Sequence, residues 1–142
     1  MGLGKTVQMI AFLGYLKETK KKVKPHLVLA PTSLIYNWES EIQKFYPDFN
    51  VLIHLGSNRD KEIKKSASKY DIILSSYGTF RSDIEHFEKC EFEILITDES
   101  QSYKNRNSQL HKALKRCNSH IVIGLTATPI ENGVTDLWSQ MD

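Results

Sequence analysis

Five short runs of apolar residues punctuate the chain: His26-Leu27-Val28-Leu29-Ala30, Val51-Leu52-Ile53-His54-Leu55, Asp71-Ile72-Ile73-Leu74-Ser75, Glu93-Ile94-Leu95-Ile96-Thr97 and Ile121-Val122-Ile123-Gly124-Leu125. They are rich in Val, Ile and Leu and do not alternate with polar positions, which predicts strands of a mostly parallel sheet covered on both faces. The segments between them carry helical patterns. Residues 5 to 18 are apolar almost all round, predicting a buried helix. Residues 33 to 46 put Leu34, Ile35, Trp38, Ile42 and Phe45 on one stripe, with Glu39, Glu41 and Lys44 outside and Thr32 or Ser33 as the cap. Residues 58 to 69 carry a thin stripe, Ile63 and Ala67, continued by Tyr70. Residues 107 to 117 align Leu110, Ala113, Leu114 and Cys117, and Asn132 to Met141 reads as a last helix. Helices alternating with parallel strands make a layered α/β fold. In such folds ligands bind at the carboxyl ends of the strands, so the loops there are the ones to search for chemistry.

Composition narrows the class without naming a ligand. The chain has 142 residues, 40% hydrophobic and 25% charged, which suits one globular domain. No apolar run approaches the ~20 residues of a membrane span, and the start of the chain is not patterned as a signal peptide. Cys90 and Cys117 lack metal-ligand spacing and read as reduced thiols, buried or half-buried. A net charge of +2 is too small to identify a nucleic-acid module. The lysine clusters at Lys17, Lys20, Lys21, Lys22 and Lys24, and at Lys61, Lys64, Lys65 and Lys69, read as solvated faces.

Three loops hold residue types suited to chemistry. Gly4-Lys5-Thr6 opens a helix, where unpaired N–H groups and the helix dipole favour an anion. Gly2 and Gly4 would let the backbone approach phosphate oxygens, Lys5 would reach the β- and γ-phosphates, and the Thr6 hydroxyl would ligate Mg²⁺. The bland alternative is a glycine-rich helix start with an exposed lysine. The full pattern G-x-x-x-x-G-K-[ST] needs a glycine upstream of Met1. Asp98-Glu99 follow an apolar strand, where one carboxylate holds the Mg²⁺ hydration shell and the next activates water. Alone, that pair reads as two acids at a strand end facing solvent; beside a Gly-Lys-Thr helix start the catalytic reading prevails. Leu125-Thr126-Ala127-Thr128-Pro129 follows the last strand, and by itself reads as a turn with a capping threonine.

Together, these residues resemble the first ATPase lobe of the SWI/SNF-type helicase-like translocases of helicase superfamily two. Met1-Gly2-Leu3-Gly4-Lys5-Thr6 is similar to that family's first motif. Ala30-Pro31-Thr32-Ser33-Leu34, with Asn37-Trp38-Glu39 and Lys44-Phe45-Tyr46-Pro47, resembles its next block. Ser76-Tyr77, Arg81 and Asp83 resemble a third, Asp98-Glu99-Ser100-Gln101 the acidic motif with Lys104-Asn105 its extension. Leu125 to Asn132, then Leu137-Trp138, resembles the coupling motif. The match spans nearly the whole chain. Trp38 and the Thr128-Pro129-Ile130-Glu131-Asn132 run are its most specific parts and favour this family over DEAD-box RNA helicases.

The resemblance implies a RecA-like, three-layer P-loop NTPase lobe over residues 1–142, a partial N-terminal ATP-binding lobe whose first strand is missing. It implies Mg²⁺ and ATP as cofactors, with Gly2, Leu3, Gly4, Lys5 and Thr6 binding nucleotide and Thr6 and Asp98 the metal. Lys5, Asp98, Glu99 and Gln101 would be catalytic, with Glu99 the general base. Thr126, Ala127 and Thr128 would couple nucleotide state to movement. Pro31, Thr32, Ser33, Ser76, Tyr77 and Arg81 would lie along the backbone of double-stranded DNA, read without sequence preference; Tyr77 and Arg81 are equally open to a structural role. No membrane partner is implied, and the location would be cytoplasmic, at the nucleoid in a bacterium or in the nucleus of a eukaryote.

Two departures are mild: Ser100 replaces a usual alanine or glycine, and Tyr103 an aliphatic residue. The family's second lobe, absent from this chain, supplies an arginine to the γ-phosphate worth about 10³–10⁵ in rate. The 142 residues alone are therefore expected to turn over little ATP. The strand at Ile121 to Leu125, lacking the phosphate-loop strand beside it, is expected to present an apolar edge. Two other readings remain at this stage: a DNA helicase or restriction-enzyme motor of the same superfamily, and a non-catalytic remnant that binds DNA or a partner.

Overall fold

The computed structural model of the chain describes residues 2–20, 24–57, 59, 63, 67–98 and 109–125. Ten elements follow one another: α1 (Gly2–Thr19), β1 (His26–Leu29), α2 (Thr32–Phe45), β2 (Val51–His54), β3 (Ile72–Ser75), α3 (Tyr77–Ser82), α4 (Ile84–Phe87), β4 (Glu91–Asp98), α5 (Gln109–Arg116) and β5 (Asn118–Leu125). The strands form one sheet in the order β2-β3-β1-β4-β5, every neighbouring pair parallel. This is the α/β fold expected from the apolar runs. The chain leaves β1 toward β2, returns to β3 beside β1, then crosses to β4 on β1's other side. That reversal opens a crevice at the carboxyl ends of β3, β1 and β4, where such sheets take ligands.

Two apolar layers clasp the sheet. On one face Ile10 and Leu13 of α1 and Ile35, Trp38 and Ile42 of α2 pack against Val28, Ile72, Leu74, Ile94 and Ile96. On the other, Phe80, Ile84, Phe87, Ala113 and the buried Ile63 and Ala67 pack against Leu27, Leu29, Ile73 and Leu95. Successive strand residues serve opposite layers, which is why these strands are apolar throughout.

The structure corrects several sequence expectations. Helix α1 begins at Gly2 rather than residue 5, and it is not buried all round: Tyr15 is 62% exposed, because only one side of α1 meets the sheet. Neither Thr32 nor Ser33 caps α2; Pro31 holds the N-cap position without a side-chain bond, its fixed φ suiting the entry. Phe45, at the end of α2, is 47% exposed where the stripe runs past the sheet. The short helices α3 and α4 were not expected. Strand β5 is longer than expected and half-exposed along its first residues, with Val122 at 48%, because it is an edge strand paired with β4 alone among the described residues. The helix at 132 to 141 lies outside the described residues, as do most of residues 58 to 69.

Helix α1 is about 27 Å long from its 18 residues. Its carboxyl end is tied to the amino edge of the sheet: Lys17 reaches the Asp71 carboxylate at 3.0 Å, and Lys20 the Glu93 carboxylate at 3.6 Å. Its amino end, with Lys5 and Thr6, is thereby directed toward the carboxyl edge.

Candidate active site

The carboxyl edge gathers most of the described residues that the sequence singled out. The register aligns Leu29 with Ser75 on one side and Thr97 on the other, and places Asp98 opposite Leu125. Pro31-Thr32-Ser33 leave β1, Ser76-Tyr77 leave β3, and Asp98 ends β4, so the three segments emerge side by side. Thr32, Ser33 and Arg81 are exposed. Ser76 is buried and caps α3, its Oγ accepting from the Thr79 N–H at 3.2 Å. Glu99, Gln101, Thr126, Ala127 and Thr128 lie outside the described residues.

Asp98 is held from two helices. The Trp38 indole N–H donates to Asp98 Oδ2 at 2.7 Å. The Tyr77 hydroxyl donates to the Asp98 backbone carbonyl. A donor bond to a carboxylate is charge-assisted and short, and an indole buried in an apolar layer has this one polar atom to satisfy.

Whether the residues suit a magnesium nucleotide rests on the donor set and the room for it. Lys5 is half-buried, Thr6 is 7% exposed with its hydroxyl in the first turns of α1, and Asp98 offers a half-buried carboxylate at the same edge. Among the described residues a Cβ added to Gly4 would meet nothing within 4 Å beyond its own helix, so none of them crowds the helix start there. Cation, hydroxyl and carboxylate oxygens are the hard donors and charge that a magnesium–phosphate pair needs. The residues fit it.

Beside the crevice lies a buried cluster that the sequence reading missed. His54 Nε2 lies 2.7 Å from Asp83 Oδ2, and Arg59 donates to both oxygens of Asp83 from Nε and Nη2, at 2.6 and 3.0 Å. Burial pushes the Asp83 carboxyl up, but the bonds from Arg59 and His54 outweigh it and hold the group below its ordinary range. The cluster pins the loop after β2 to the junction of α3 and α4. No sequence spacing announces it, since its members come from three separate segments.

Elsewhere the chemistry is muted. Cys90 and Cys117 are free thiols, and burial, with Cys90 close by, pushes Cys117 up to about 12, far from a reactive thiolate. Lys17, Lys20 and Lys24 pair with Asp71, Glu93 and Glu91 on the amino side of the sheet, away from the crevice. Among the described residues no group of His, Cys, Asp and Glu could hold a metal by itself, and no helix is long and apolar enough to cross a membrane.

A doubly wound parallel sheet with a Gly-Lys-Thr helix start and an acidic strand end at one edge defines the RecA-like ATPase class. Comparison with known proteins makes the assignment specific: the SNF2-related domain matches residues 1–142, and the chain belongs to that family. It is 38% identical over 142 residues to an uncharacterized ATP-dependent helicase of Mycoplasma genitalium, MG018, covering 100% of this chain and 14% of that protein. It is 37% identical over 150 residues to the chromatin-remodeling ATPase INO80 of Candida albicans, covering 98% of this chain and 11% of that protein. Among solved structures it resembles the SWI2/SNF2 ATPase core of Sulfolobus solfataricus in complex with double-stranded DNA. The TM-score there is 0.81 and the identity 39%, covering 99% of this chain and 29% of that one. The chain thus spans a minor part of each relative.

Proposed function

We infer that this chain is the ATP-binding lobe of a DNA-dependent ATPase that translocates along duplex DNA. The observation that carries this reading is the shared carboxyl edge: the Lys5–Thr6 helix start is directed to it, Asp98 ends a strand there, and exposed Thr32, Ser33 and Arg81 flank it. In the bound state Lys5 neutralises the terminal phosphates, with Gly2, Leu3 and Gly4 lending backbone around them. Thr6 and Asp98 would hold Mg²⁺, which would supply charge neutralisation on the phosphates. Glu99 takes the proton of the attacking water, and Gln101, Thr126, Ala127 and Thr128 relay the nucleotide state. Pro31, Thr32, Ser33 and Arg81 run along the DNA backbone, joined by Ser76 and Tyr77 at the start of α3. Contacts to phosphates make the affinity independent of sequence and steeply dependent on salt. An arginine aimed at the γ-phosphate would add to the rate of hydrolysis.

The test is ATP hydrolysis by the protein that carries this chain, with and without duplex DNA. Lys5→Ala should abolish DNA-stimulated hydrolysis while leaving DNA binding intact. Undiminished hydrolysis in that variant would sink the assignment. Strand displacement measured in parallel separates a translocase from a duplex-opening helicase.

A further inference from the structure

Trp38 is 1% exposed and sits on the buried stripe of α2 between Ile35 and Ile42. Packing alone would be served by any large apolar ring there. The indole does something more: its N–H leaves the apolar layer and ends on the Asp98 carboxylate at 2.7 Å. The bond restrains the rotations that decide which way the carboxylate oxygens face. Tyr77 grips the same residue from the other side, through the backbone carbonyl. Asp98 is thus clamped by its side chain to α2 and by its main chain to α3.

Those two helices are also the ones whose first residues border the crevice. Helix α2 opens with the exposed Thr32 and Ser33, and α3 opens with Tyr77 and carries the exposed Arg81. We propose that Trp38 is a positioning residue for Asp98, and that Trp38 and Tyr77 together carry a displacement of either helix by bound duplex to the metal-facing carboxylate. The proposal rests on the nucleotide-site reading of Asp98. It assigns a role to a tryptophan that the sequence marked only by its place in a motif, and to a tyrosine that the sequence left between a DNA contact and a structural part. Partners of this kind, one bond removed from a metal, are typically worth about 10–100-fold in metal affinity or activity.

The test compares wild type with Trp38→Phe, which keeps an aromatic ring and deletes the donor, and Tyr77→Phe, which deletes only a hydroxyl. Two quantities are read: affinity for a non-hydrolysable ATP analogue by calorimetry across a Mg²⁺ series, and the ratio of DNA-stimulated to basal hydrolysis. Trp38→Phe should raise the Mg²⁺ concentration for half-maximal analogue binding by about 10-fold or more, while metal-free binding is unchanged. Tyr77→Phe should lower the stimulation ratio by a similar factor when read at duplex concentrations that saturate each protein. Mg²⁺ curves and stimulation ratios that superimpose on wild type in both folded variants overturn this proposal alone, leaving Trp38 a core residue. Should Trp38→Phe fail to fold, the Tyr77→Phe ratio decides by itself. A wild-type protein whose nucleotide binding ignores Mg²⁺ overturns the site reading, and this proposal with it.

Discussion

Lowering the pH from about 7 to about 5 should cost the fold about 2 kcal/mol through a single side chain, His26. It is the first residue of β1, 2% exposed, and its Nδ1 has no hydrogen-bond partner among the described residues. Burial lowers its pKa from 6.5 to about 4, against the opposing pull of Glu93 and Asp71 and with a small push from Lys20. The sign follows from which state takes up the proton. Above about pH 6.5 the histidine is neutral folded and unfolded, and stability does not feel it. Below that the unfolded chain protonates first, so stability falls as pH drops. The loss levels off near about 3 kcal/mol once the folded pKa is passed, the 2.5-unit gap between 6.5 and 4 at about 1.4 kcal/mol per unit. Urea unfolding of wild type and His26→Phe across this range isolates the term, because other titrations cancel in the difference. The variant should gain about 2 kcal/mol on wild type between pH 7 and pH 5. Equal losses in the two proteins, or a native His26 titrating at its ordinary pKa by NMR, would show the reasoning to be wrong.

Two further substitutions test the packing. Asp83→Ala would strand Arg59 and His54 beside a hole where the carboxylate stood, and should cost about 3–5 kcal/mol in urea unfolding; a loss under about 1 kcal/mol would mean that the cluster is not a working buried ion pair. Gly14→Ala would place a Cβ 2.6 Å from the Tyr46 ring, where α1 crosses α2, at a cost of about 1–3 kcal/mol. Combining it with Tyr46→Ala should remove most of that penalty, and an additive double mutant would rule out the clash.

The sheet was legible because β1, β3 and β4 are buried on both faces and so spell continuous apolar runs. The apolar edge at β5 was expected from the strand order that the family resemblance implies, not from its own residues, which are as apolar as those of the other strands. Helices α3 and α4 went unread because six and four residues hold too little periodicity to register. The candidate site was legible as an ordered set of motifs, since phosphate and metal chemistry admits few residue types. How its parts touch was not. Trp38 and Asp98 stand 60 positions apart, and His54 and Asp83 stand 29 apart. Only the register of the parallel strands brings such pairs to one edge. Ser76, expected from the resemblance to lie along the DNA backbone, is buried and caps a helix.

The bond from Trp38 to Asp98 has a spectroscopic consequence as well. An indole whose N–H ends on a carboxylate has excited-state energies that respond to the charge and position of that oxygen. The chain holds two tryptophans, Trp38 and Trp138. Replacing Trp138 with phenylalanine leaves within this chain one tryptophan, already bonded to the acidic motif. Its wavelength and lifetime then form an intrinsic optical gauge of that carboxylate, with no dye attached.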